Sequence, residues 1–349
     1  MRPLSILILS DGRPGHYHLS DGVAAAIGRR RPVKVQRLAI ERRKAAPGRL
    51  LATALGLGVP PGLVLRFGYG LDPHVLPVAD VVVSAGGDTL AANVAASRLM
   101  GVTNVFCGTL RHFQPEAFGL VVSSYARHAR LPRHLVALKP NGIDPDTLPQ
   151  RVSLGQLGAG RSPRLAGLLI GGPSGLFHWR DDEWQRLLDF LDTSHVALGV
   201  RWVVSTSRRT PDAVADRLQM LAARPASPIA DLIDFRCAGP GTLPQLFGAV
   251  DAILATEDSS TMLSEAVCAR LPVVGVAPER HAFKDEEAEY RTFLDDQGWC
   301  RCMALAALTP QTFLAALGGV RPLQENHLDR LASGLAERLP GLFGDVGVA

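Results

Sequence analysis

The chain has 349 residues, 47% hydrophobic, 20% charged and 6% aromatic, which suits a globular protein of about two domains and excludes a disordered or fibrous one. Its net charge of +4 is unevenly divided: residues 1–155 hold 19 Lys and Arg against 9 Asp and Glu, and the rest hold 18 against 24, so a basic domain is expected to precede an acidic one. The few aromatics are not interleaved with the basic residues, which argues against nucleic-acid binding.

Met1 to Ser10 reads as a strand with its apolar run at Leu4 to Leu9. It has one Arg and no small-residue cleavage site, so a cytoplasmic location is expected rather than secretion. The loop that follows, Ser10-Asp11-Gly12-Arg13-Pro14-Gly15-His16, has glycines for a tight turn and precedes a predicted helix. Gly12, Arg13 and Gly15 are acceptor-side candidates, because amides there can meet an anion or a sugar. His16 is the candidate catalytic base, since an imidazole titrates near neutrality and can take a proton from an attacking hydroxyl. Asp11 either orients that ring or caps the helix.

The next strand, Val33 to Leu38, lies in a basic stretch: from Arg29 to Arg49 nine residues are basic and only Glu41 is acidic. Leu50 to Leu71 is apolar but broken by Pro60-Pro61, by glycines and by Arg66, so it lacks the ~20 uninterrupted apolar residues of a membrane-spanning helix. Val81 to Ser84 is a strand leading into Ser84-Ala85-Gly86-Gly87-Asp88-Thr89. That loop is similar to the GGDGT loop of NAD and lipid kinases but lacks the glycine after Asp88. Gly86, Gly87 and Asp88 are further acceptor-side candidates, with Asp88 or Thr89 also able to cap a helix.

Strands at Val102 to Phe106, Leu120 to Ser123 and Leu135 to Leu138 complete a first Rossmann-like sheet. Lys139 to Pro163 is rich in Pro and Gly with little periodicity and reads as a linker. A second set of strands follows at Leu165 to Ile170, Arg201 to Ser205, Leu232 to Arg236, Ala252 to Ala255 and Pro272 to Val276. A last helix is predicted over Leu323 to Leu339. Domains are therefore expected at 1–155 and 156–322, with 323–349 packing back toward the first.

Three loops of the second set carry candidates. Gly171, Gly172 and Ser174 lie in a Gly-rich turn after the first strand. Ser207, Arg208, Arg209 and Thr210 bring hydroxyls and guanidinium groups to a helix start, an arrangement suited to a diphosphate. Ser259, Ser260, Thr261 and Met262 open another helix, and Glu265, just over a turn inside it, could accept hydrogen bonds from a ribose diol. The five cysteines, an odd number without CxxC spacing, are expected to be mostly buried free thiols, and no metal site is expected.

Gly239 through Pro278 resembles the C-terminal donor motif of GT-B glycosyltransferases, and Gly171-Gly172-Pro173-Ser174-Gly175 is similar to the GGSQG loop of the lipid II N-acetylglucosaminyltransferases. Asp11 to His16, Ser207 to Thr210 and Asp258 to Ala266 together resemble the mitochondrial-fission ELM family, whose bacterial members are described as glycosyltransferases. The resemblance implies an α/β, GT-B-like fold: two Rossmann-like domains whose parallel sheets face a central cleft. It implies inverting transfer from a nucleotide-diphosphate sugar, with no cofactor or metal, to an acceptor that is unknown or lipid-linked. The basic stretch and Leu50 to Leu71 are then expected to dock on an anionic membrane surface, making the protein peripheral at its inner face. Glu257 and Asp258 stand where many GT-B members have Arg and Gly, and would repel a diphosphate unless turned away or balanced by Arg208 and Arg209. Ser123 to His128 keeps the histidine of the family's P-x-H-D segment but has Ala129 for the aspartate. The competing readings are a noncatalytic membrane-associated scaffold and a lipid or NAD kinase.

Overall fold

The computed structural model describes residues 2–148 and 162–344. It divides into two compact units, one of residues 1–142 with 327–349 and one of residues 143–326.

In the first unit the elements are β1 (Leu4–Ser10), α1 (Pro14–Gly28), β2 (Val33–Ala39), α2 (Gly48–Gly56), α3 (Pro61–Tyr69), β3 (Val81–Ala85), α4 (Leu90–Met100), β4 (Thr103–Cys107), β5 (Leu120–Ser123) and β6 (His134–Val136). The strands form one parallel sheet in the order β2-β1-β3-β4-β5-β6. β3 is buried along its whole length, as a central strand covered on both faces requires, whereas the edge strand β2 alternates. The apolar stretch after residue 50 is two short helices joined at Pro60-Pro61, where a helix cannot continue unbroken.

The second unit holds β7 (Leu165–Leu169), β8 (Phe177–His178), α5 (Asp181–Leu198), β9 (Arg201–Ser205), α6 (Asp212–Ala222), β10 (Ile229–Ile233), α7 (Phe235–Ala238), α8 (Leu243–Ala249), β11 (Ala252–Thr256), α9 (Ser260–Cys268), β12 (Val273–Ala277), β13 (Arg280–His281), α10 (Asp285–Asp296), β14 (Cys300–Ala304) and α11 (Pro310–Gly318). Its main sheet is parallel in the order β10-β9-β7-β11-β12-β14, and β8 pairs with β13 in a separate antiparallel ribbon.

The last helix, α12 (His327–Arg338), belongs to the first unit and buries Leu328, Leu331 and Leu335 beside α1. Arg29 holds Asp329 at 2.7 Å and Arg31 donates to the Leu342 carbonyl at 2.5 Å. The first unit thus has apolar layers on both sides of its sheet, α1 and α12 on one and α2 to α4 on the other.

Several expectations move. The units divide at 142/143 and 326/327, not at 155/156 and 322/323, because residues 143–148 attach to the second unit: Asp146 takes Arg270 at 2.9 Å, and Asp144 and Asp146 each take the Asn326 amide at 2.8 Å. Most of the predicted linker, residues 149–161, lies outside the described residues. The strand expected at Leu232 to Arg236 runs from Ile229 to Ile233, because Asp234 accepts from the Arg236 amide and starts α7 instead. Cys237, on that short helix, and Cys302, on the edge strand β14, are exposed; Cys107, Cys268 and Cys300 are buried.

Candidate functional site

Each main sheet reverses direction once in its strand order, between β1 and β3 in the first unit and between β7 and β11 in the second. At such a point two adjacent loops leave opposite ways and open a crevice at the carboxyl ends of the strands. All but one of the predicted loops leave these four strands; the other follows β9, next to β7.

In the first unit β1 ends at Ser10, Gly12 has φ +74°, and Pro14 stands at the start of α1. Asp11 does not cap the helix by a side-chain bond to its first turn. Its Oδ1 accepts from the Arg13 amide at 3.2 Å and its Oδ2 lies 2.7 Å from His16 Nδ1. The Asp11 side chain is only 7% exposed and that of His16 is 30% exposed. A carboxylate at that distance fixes the Nδ1–H tautomer and leaves Nε2 as the accepting nitrogen.

The β3–α4 loop lies directly against this pair. A Cβ on Gly86 would sit 2.2 Å from His16 Nδ1, and its φ is +90°, so only glycine fits there. Asp88 accepts from Arg42 Nε at 3.0 Å and lies 3.4 Å from Arg13. Thr89 is at the helix boundary without capping it; its hydroxyl donates within the loop, to the Ser84 hydroxyl at 2.9 Å. Asp11, Gly12, Arg13, His16, Gly86, Gly87 and Asp88 therefore share one place, with Gly15 exposed in the first turn of α1. Sequence reading missed Arg42, Tyr69, Arg111 and His112, which line a cavity beside Gly87 and Asp88. They come from three separate segments, Arg42, Tyr69 and Arg111-His112, and no local pattern links them.

In the second unit the three loops are tied together by their own side chains. The Gly171 amide donates to Thr256 Oγ1 at 2.8 Å and the Gly172 amide to Asp258 Oδ2 at 3.1 Å. Ser207 and Thr210 donate to the Gly171 carbonyl at 2.7 and 2.8 Å. Gly172 has φ +152°, and a Cβ there would lie 2.0 Å from the Arg209 carbonyl oxygen. Arg209 is bound on both arms, to Asp258 at 2.6 Å and to the Gly172 carbonyl at 3.0 Å. Arg208 is exposed and makes no ion pair among the described residues. Ser174 bridges to Phe177.

Both acids flagged in the sequence are turned inward. Asp258 is balanced by Arg209, and Glu257 is 3.4 Å from the buried Arg291, which also donates to the Glu257 carbonyl. Burial pushes both carboxyls above their usual range, against the pull of those arginines. Arg291 had no sequence signal. Ser259 caps α9 by accepting from the Met262 amide at 3.4 Å; Ser260 and Thr261 occupy its first turn, half-buried with Met262, and Glu265 is buried one turn on. Among the described residues no group of three or more His, Cys, Asp or Glu side chains is placed to hold a metal, and no helix is long and apolar enough to cross a membrane.

Two six-stranded parallel sheets, each with its polar loops at a switch point, define the GT-B class of fold. Acinetobacter baumannii MurG shares it with a TM-score of 0.54 at 13% identity, over 96% of this chain and 100% of that one. Methanocaldococcus jannaschii UDP-GlcNAc 2-epimerase in complex with UDP-GlcNAc and UDP does so at 0.52 and 10%, over 96% and 100%. S. aureus MnaA with UDP does so at 0.52 and 10%, over 97% of both chains. No curated protein matches the chain. Residues 14–339 match the model of the mitochondrial fission ELM1 family, and the chain belongs to that family.

Proposed function

We propose that the protein is a glycosyltransferase whose second unit binds a nucleotide-diphosphate sugar and whose first unit activates the acceptor hydroxyl. The observation that carries this reading is the Asp11–His16 pair at 2.7 Å, which leaves the imidazole Nε2 as a base on a GT-B fold. Nε2 takes the hydroxyl proton as the acceptor oxygen attacks the anomeric carbon; the bond to the diphosphate breaks opposite, and the nucleoside diphosphate leaves with its electron pair. The α9 amides, Ser260, Thr261 and Arg208 stabilise that charge, so no metal is required. Glu265 accepts from the ribose diol. The neighbouring epimerase structure holds UDP-GlcNAc and UDP, which supports a uridine nucleotide as the first donor to try. The outer faces of α2 and α3 support peripheral docking on an anionic membrane: Leu50, Leu57, Leu63 and Phe67 are exposed there, with Arg43, Lys44, Arg49 and Arg66 around them.

A thermal-shift panel of nucleotide sugars tests the reading. Ligand at 100 times Kd stabilises the folded state by about 2.7 kcal/mol. Glu265→Ala should abolish the shift, while His16→Ala keeps it and loses turnover by roughly 100-fold or more. A panel in which no nucleotide sugar stabilises the chain overturns the reading and favours a scaffold.

A further inference from the structure

One cavity of the first unit is used by neither the donor assignment nor the base. Arg42, Tyr69, Gly87, Asp88, Arg111 and His112 line it, and its volume is about 70 Å³. That is room for about two waters, or for one tetrahedral oxyanion. The first turn of α4, at Leu90 and Ala91, also lines it.

The charges around it do not cancel. Asp88, the only acid in the wall among the described residues, is already held by Arg42 Nε at 3.0 Å and by Arg13 at 3.4 Å. Arg42 spends Nη1 on the Ala46 carbonyl at 2.9 Å, and its Nη2 has no partner among the described residues. Arg111 makes no hydrogen bond or ion pair among the described residues. Its backbone is nevertheless held at φ 53°, a region non-glycine residues seldom enter, and its guanidinium packs so closely on Gly87 that a Cβ there would lie 2.2 Å from Cζ. An arginine packed this way in the wall of a cavity, with its donors unused among the described residues, is suited to an anion supplied from outside. Tyr69 forms a neutral wall: its hydroxyl donates to the Asp88 carbonyl at 2.9 Å and accepts from the Ala92 amide at 3.2 Å, and burial pushes it up to about 12.

We infer that this cavity is a subsite for a phosphate group of the acceptor, a monoester or the end of a diphosphate, held by Arg111 and Arg42 beside the base His16. The inference rests on the acceptor-side reading of the first unit and narrows the acceptor to a phosphorylated compound.

The test is calorimetric titration of the full chain with inorganic phosphate, with UDP present at saturation so that any donor diphosphate site is filled. Wild type should bind phosphate saturably. Arg111→Ala should weaken it roughly 10- to 100-fold, the loss of a charge-assisted hydrogen bond. Gly87→Ala keeps every charge but displaces the guanidinium, and should weaken it likewise. Farnesyl phosphate distinguishes the source: tighter binding than inorganic phosphate identifies a lipid acceptor, and equal binding a water-borne one. Phosphate affinity unchanged in both variants, or no saturable binding by wild type, overturns the inference. UDP affinity is read separately, so a chain that ignores UDP but binds phosphate through Arg111 refutes the donor reading and leaves this one standing.

Discussion

Removing the Arg209 guanidinium should destabilise the second unit, not merely weaken its ligand. The Asp258 side chain is wholly buried; its Oδ2 has two donors, Arg209 Nη2 at 2.6 Å and the Gly172 amide at 3.1 Å. Arg209→Ala leaves that carboxylate without a cation, with only the Gly172 amide and the Thr256 hydroxyl beside it. Breaking a buried pair from one side costs about 3–5 kcal/mol, and the 31% exposure of the Arg209 side chain points to the lower end. Near 3 kcal/mol, and at about 2–4 °C per kcal/mol for a domain of this size, Tm should fall by roughly 6–12 °C. The deficit also has a pH signature. Burial already holds the Asp258 carboxyl above its usual 3.8, and losing Arg209 raises it further. The folded variant then binds the proton more readily than the unfolded chain, so its stability falls as pH rises through that window. The gap to wild type should be smallest below the usual value and full once pH exceeds the variant's folded value. Differential scanning fluorimetry and urea titration from pH 4 to 8 read this, with Arg209→Ala/Asp258→Asn recovering part of the loss. A gap that does not vary with pH, or a double variant as unstable as the single one, refutes the argument.

Gly86→Ala should expel the His16 ring, since the added carbon would fall 2.2 Å from Nδ1; turnover should drop by roughly 100-fold or more, and a wild-type rate would refute His16 as base. Leu57→Asp/Phe67→Asp should lower sedimentation with anionic vesicles without affecting the fold, because both side chains are well exposed, at 81% and 69%; unchanged sedimentation sinks the membrane reading. Burial pushes the Cys107 thiol up to about 12 whereas Cys237 is exposed. Iodoacetamide at pH 8 on native protein should therefore label Cys237 and spare Cys107 by mass spectrometry.

The fold was legible because its central strands are continuous apolar runs: Val81 to Ala85 and Ala252 to Thr256 are buried along their full length, and each run ends in turn residues. The edges were not. β14 is Cys300-Arg301-Cys302-Met303-Ala304, without a β-branched residue, and takes its place only by pairing with β12 from Val273 onward. β10 carries Asp231 in its middle, and the four residues after Asp234 coil into α7, so its pattern pointed too far downstream. At the site, glycines and hydroxyls next to strands were visible because their spacing is local. Arg42, Arg111 and Arg291 reach Asp88, Gly87 and Glu257 from 46, 24 and 34 positions away, and no window of sequence holds both ends.

Those long-range pairs also decide what the charge division means. The second part of the chain is acidic, yet the acids nearest its switch-point loops are neutralised internally, Asp258 by Arg209 and Glu257 by Arg291, leaving amides, hydroxyls and the exposed Arg208 at the surface of those loops. The first part is basic, yet much of that charge is spent: Arg29 on Asp329, Arg37 on Asp21, Arg42 on Asp88. Among the described residues, Arg111 beside Gly87 stays uncommitted. The field at a ligand loop is set by which charges lack an internal partner, and by that measure both switch points favour an anion although the units carry opposite net charge. On the function proposed above, a diphosphate donor suits the loops of the second unit and a phosphorylated acceptor those of the first.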